Sequence, residues 1–126
     1  MAITPVARSM YLCDHVVGYP DAKADLYGIF NGLEPRNLPY VHDPFYLYAQ
    51  LVNGLGSVPF RIDVVLVDTD ELLYSSEPRN LEFRSRTTVV QMSFRVPNFR
   101  FPRRGRYLFE LYCDNIWICD CPLQLR

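Results

Sequence analysis

The stretch FRFPRRGRYLFELYCDN, Phe99–Asn115, holds a loop and the strand that follows it. Pro102 and Gly105 punctuate a basic segment. Beyond them Tyr107, Phe109 and Leu111 alternate with Leu108, Glu110 and Tyr112, the period of a half-buried strand. Asp114-Asn115 then forms a two-residue turn, because both residues tolerate positive φ, and Ile116–Cys119 completes a hairpin. Gly105-Arg106-Tyr107 stands at the mouth of the second-last strand, two residues before Phe109. Immunoglobulin-like sandwiches place an inward-packed tyrosine at this corner, with its hydroxyl bonded to main chain upstream. On that reading Tyr107 is buried and bonded above Gly105. Phe109 takes the place of a disulfide cysteine, and no disulfide is expected because the second strand carries no cysteine.

The same period recurs upstream. Strands are expected over Ala7–Val17, Ala24–Leu33, Phe45–Asn53, Phe60–Asp68, Leu72–Ser75, Leu81–Phe83 and Arg86–Val96. Gly18, Pro20 and Asp21 supply the first turn. Gly28 inside the second strand marks a bulge or a close approach. Three prolines make Glu34–Pro44 a long crossing loop. About seven to nine short strands with no intervening helix define an all-β, antiparallel immunoglobulin-like sandwich, one domain over residues 1–126. Parity sets the inner faces: Phe45, Leu47, Ala49 and Leu51; Ile62, Val64 and Leu66; Val90, Met92 and Phe94; and Tyr107, Phe109 and Leu111.

Composition agrees with a soluble globular chain. Nine tyrosines and eight phenylalanines suit pleated surfaces, and there is a single lysine, Lys23. A net charge of -1 excludes a generally basic nucleic-acid binder. No apolar run is long enough for a membrane helix, and the N-terminal segment does not read as a secretory signal, so a cytoplasmic location is expected. Cys13, Cys113, Cys119 and Cys121 are then expected to be reduced, and Cys119-Asp120-Cys121 lacks the C-x-x-C spacing of zinc knuckles, so no metal or cofactor is expected.

Four classes of site compete. Arg95, Arg100, Arg103, Arg104 and Arg106 form a basic loop interleaved with Phe99 and Phe101. This mixture can bind anions or single-stranded nucleic acid, with Arg100, Arg103, Arg104 and Arg106 as the candidates. Asp63, Asp68, Asp70 and Glu71 could only build a calcium site with help from another loop, and Asp14, Asp21, Asp25 and Asp43 cannot be placed beside them. Cys13 with His15 is a conceivable thiol pair without a third orienting group, and His42 sits in a proline-rich loop. No catalytic motif is present, so an enzyme is not expected. The outer strand faces carry Tyr46, Tyr48, Leu108, Tyr112 and Trp117, the composition of an interface. Immunoglobulin-like order would put these five on one face. Either a partner protein or a second copy covers them, or the Glu34–Pro44 loop or a terminal segment does.

The segments YLCDHV (Tyr11–Val16), ADLYGIF (Ala24–Phe30) and FRFPRRGRYLFELYCD (Phe99–Asp114) resemble, in order and spacing, those of a family of small bacterial proteins of unknown function. The resemblance implies a β-sandwich and a bacterial, cytoplasmic origin. It implies no activity and carries over no catalytic residue.

Overall fold

The computed structural model describes residues 2–20 and 23–126, so Asp21 of the expected first turn lies outside the described residues. Among these residues there is no helix. The strands are β1 (Val6–Gly18), β2 (Ala24–Ile29), β3 (Gly32–Leu33), β4 (Tyr40–Val41), β5 (Phe45–Val52), β6 (Gly56–Leu66), β7 (Glu71–Ser75), β8 (Arg79–Phe83), β9 (Val90–Val96), β10 (Arg100–Phe101), β11 (Gly105–Cys113) and β12 (Ile116–Leu125).

Two sheets face each other. One runs β2-β1-β5-β9, and the other runs β3-β12-β11-β6-β7 with β8 also on β6. All pairs are antiparallel except β3 with β12. The core draws from both inner faces, and the expected parity holds in β5, β6, β9 and β11. Phe45 on β5 meets Phe109 on β11 edge to face at 5.8 Å, which joins the two sheets at their centre. Such a two-sheet core is an antiparallel β-sandwich.

The corner forms as the sequence dictates. Tyr107 is fully buried, and its hydroxyl donates to the Arg103 carbonyl, upstream of Gly105. Burial pushes its phenol above the usual range. Asp114 and Asn115 take φ of 51° and 63°, the paired left-handed residues of the expected hairpin turn.

Boundaries differ where side chains or pairing intervene. The expected strand Ala24–Leu33 breaks in two. Phe30 donates its N–H to Leu12, after which the chain crosses to the other sheet as β3. The strand expected from Arg86 begins only at Val90, because Ser85 bonds the hydroxyls of Thr87 and Thr88 and its carbonyl caps a turn with the Thr88 N–H. β12 continues past Cys119 to Leu125 through Pro122, which is tolerated because one side of β12 has no strand partner at that position.

The Glu34–Pro44 loop plugs one end of the sandwich. Within it β4 pairs with β10, Tyr40 stacks on Phe101, and His42 packs against Phe30 and Phe45. The Tyr40 hydroxyl lies 2.7 Å from His42 Nδ1.

Candidate functional site

The four-stranded sheet presents a continuous aromatic outer face. Register places Cys13 of β1 between Ile29 of β2 and Tyr46 of β5, and Tyr46 beside Arg95 of β9. One row along, Tyr11 pairs with Tyr48, and His15 pairs with Tyr27. His15 packs its ring against both Tyr27 and Tyr46, at 6.4 Å and 6.0 Å. Tyr48 lies flush in the sheet and its hydroxyl accepts a bond from Gln50 at 3.0 Å. Tyr11 beside it, and Tyr27 and Ile29 further along the face on β2, are exposed by 43 %, 53 % and 56 %. The Glu34–Pro44 loop lies at the sandwich end and does not cover them.

The five expected interface residues do not share a face. Tyr46 and Tyr48 lie on the four-stranded sheet, while Leu108, Tyr112 and Trp117 lie on the other. The cause is β2. It is a hairpin strand added to the outer edge of β1, so Phe45–Val52 pairs with β1 and β9 rather than with the C-terminal hairpin. Sequence reasoning missed Tyr11, His15, Tyr27 and Ile29. Parity in the first two strands carries the signal, since Tyr11, Cys13 and His15 share one side of β1, Tyr27 and Ile29 share one side of β2, and pairing brings the two sides onto one face.

The opposite outer face is acidic at its centre. Asp63, Glu110 and Asp120 stand side by side across β6, β11 and β12. Asp63 is held by Ser75 at 2.6 Å and by Arg61 at 3.3 Å, and the Arg61 guanidinium stacks 4.3 Å over Tyr112. Burial, joined by the neighbouring Asp63 and Asp120, lifts the Glu110 carboxyl above the ordinary glutamate range, against Tyr112 and Arg61. A raised folded pKa means that the folded state holds this proton more tightly. The resulting stability is present below the unfolded value and is lost as pH rises through the folded one. Glu110→Gln is therefore expected to melt higher than wild type near pH 7, with the gap closing below about pH 4. Paired thermal melts at the two pH values check this, and a glutamine variant less stable at neutral pH would contradict it. Trp117 is 52 % exposed at the rim of this face.

The basic loop is largely committed to structure. Arg106 grips Asp68 with its guanidinium at 2.9 Å and 3.1 Å and with its main-chain N–H at 3.1 Å. These bonds hold the Asp68 carboxyl below the usual range. Arg104 donates to the carbonyls of Pro35 and Arg126. Arg95, Arg100 and Arg103 are exposed. Phe99 and Phe101, expected to interleave with them at the surface, are buried in the core and meet edge to face at 4.7 Å. The loop therefore offers charge without a stacking platform.

The acids and thiols do not converge. Asp68 belongs to Arg106 and Asp63 to the outer face of β6, and among the described residues no three His, Cys, Asp or Glu side chains could hold a metal. Cys13 faces outward from its sheet, whereas Cys119 and Cys121 pair with the inward positions Leu111 and Phe109. All four cysteines are free. Burial raises the Cys13 thiol, lifts Cys113 to about 11 and pushes Cys121 up to about 12, the opposite of an activated nucleophile.

No curated protein matches the chain. A family model matches residues 8–126, nearly the whole sandwich. The chain thus belongs to DUF6941, a family of unknown function.

Proposed function

We propose that this protein is a non-enzymatic, immunoglobulin-like interaction domain that binds a protein surface through the outer face of its four-stranded sheet. The carrying observation is the exposure of Tyr11, Tyr27 and Ile29 on one outer face, Tyr11 beside Tyr48, and Tyr27 and Ile29 beside His15 and Cys13. Exposed aromatic clusters of this kind mark interaction sites, and tyrosine anchors contribute much of the energy of such contacts. The immunoglobulin-like reading is supported by strand order. With the added β2 set aside, β1-β5-β9 packs on β12-β11-β6-β7, and Tyr107 forms its corner at the start of β11. Four unpaired thiols suit a reducing compartment such as the bacterial cytoplasm.

The reading is tested by photo-crosslinking in the cell that makes the protein. Benzoylphenylalanine at position 27 is expected to yield a discrete protein adduct, whether dimer or hetero-complex. Absence of any adduct there, with the variant folded, would overturn the reading.

A further inference from the structure

We infer that a short extended segment of a partner protein adds as a strand beside β1 at Ser9–Leu12 and seats one apolar side chain in the cavity between β1 and β12. The inference rests on the interaction reading above, since Tyr11 and Ile29 border this cavity, and it names the chemistry of the partner. The strand position next to β1 is half filled. β2 occupies it from Cys13 to Gly18, and among the described residues no strand lies on that side of Val6–Leu12. The vacancy begins where the Phe30 N–H donates to the Leu12 carbonyl at 2.9 Å, before the chain leaves for β3. That bond fixes the direction of the neighbouring groups. Since the Leu12 carbonyl faces the vacant side, the Leu12 N–H and both main-chain groups of Met10 face it as well. Tyr11, between them, points its own at β5.

Main-chain groups in such a row ask for an extended backbone, the mode in which a peptide joins a sheet edge. A cavity of about 310 Å³ opens beside them, with Met10, Leu12, Phe30 and Cys121 in its lining. Alternate residues of an added strand point to one face, so one of them enters this cavity and should be apolar. The far wall offers no competing edge. The Gln124 N–H points at Asn31 on the open side of β12, so Pro122, two residues earlier, lacks an N–H on that same side. The opposite edge of the sheet is screened as well, because Arg79 of β8 reaches across and sets its guanidinium 5.3 Å from the centre of the Phe94 ring on β9.

The edge also fixes the size of its occupant. A bulge between Ala7 and Ser9 ends the regular strand on one side, and Phe30 ends it on the other. So short an edge suits a chain terminus or a flexible loop, not the long edge of another folded sheet. A second copy can offer little of its own β1, because its β2 fills the same side from Cys13 onward.

Short random peptides displayed on phage and panned against the purified full chain supply the probe. Retained peptides are expected to protect the Met10 and Leu12 amides from hydrogen exchange, while Tyr11, already paired with β5, changes little. Methylating the peptide's main-chain nitrogens one at a time should abolish binding with a period of two, which docking through side chains alone would not produce. Met10→Pro removes an N–H from the vacant side, where proline is tolerated, and should weaken binding at least about tenfold. Circular dichroism confirms that this variant is folded, and the methyl scan uses wild type throughout. No retained peptide, binding that leaves both amides unprotected, or a methyl scan without alternation would each overturn strand addition. Protection that rises with protein concentration in the absence of peptide would place a second copy there and overturn the partner. An adduct at position 27 alongside any of these failures leaves the interaction reading intact, whereas absence of that adduct removes the reading even where peptides protect Met10 and Leu12.

Discussion

Phe109→Ala is expected to lower the stability of the fold by about 3–5 kcal/mol, the upper range for a truncated core aromatic. Phe109 is fully buried and touches Phe45 across the sandwich and Phe99 at its end, at 5.8 Å and 5.9 Å. Its cross-strand neighbours, Val64 and Cys121, belong to strands on either side of β11, so hydrogen-bonded ladders limit their collapse into the space left behind. Domains of this size are stable by only about 5–15 kcal/mol, so the variant should fold marginally. The check is a urea titration in which the midpoint falls while the slope is unchanged. A loss under about 1 kcal/mol would mean that the two sheets do not meet through this ring.

The second large effect is expected at Gly28, where fold and interface meet. Its φ is +67°, and a Cβ built there would lie 2.2 Å from Asp14 Oδ2. Left-handed backbone alone costs a side-chain-bearing residue about 1–2 kcal/mol. Displacing the Asp14 carboxylate adds to this, so Gly28→Ala should cost about 2–3 kcal/mol in total. Because Gly28 lies between Tyr27 and Ile29, the strain falls on the strand that presents both. Amide exchange should therefore accelerate first in β2, with the core of β5 and β11 still protected. Adding Asp14→Ala should recover the steric share and leave the backbone share. If the double variant is no more stable than Gly28→Ala alone, Asp14 does not pack on this glycine.

The corner at Tyr107 and the inner faces of β5, β6, β9 and β11 were legible because each depends on local information, a glycine before a tyrosine or a period of two. The partition of strands between sheets was not legible. Nothing within Ala24–Ile29 distinguishes a strand of the core order from a hairpin strand appended to an edge, and that distinction moved Tyr46 and Tyr48 away from Leu108, Tyr112 and Trp117. The basic loop was misread for a related reason. The FRFP segment looks like surface aromatic-basic mixing, yet β10 alternates, so Phe101 turns inward while Arg100 turns out. The long-range tie of Arg106 to Asp68 spans 38 residues and leaves no local trace.

The most direct measurement of the central claim is a three-position crosslinking scan in the producing cell. Benzoylphenylalanine is placed at position 27 on the aromatic face, at position 72 on the opposite sheet and at position 103 on the basic loop. The expected result is a strong protein adduct from position 27 and little from the other two. An adduct from position 72 or 103 with none from position 27 would contradict the account, and would place the working surface on the acidic face or the arginine loop instead.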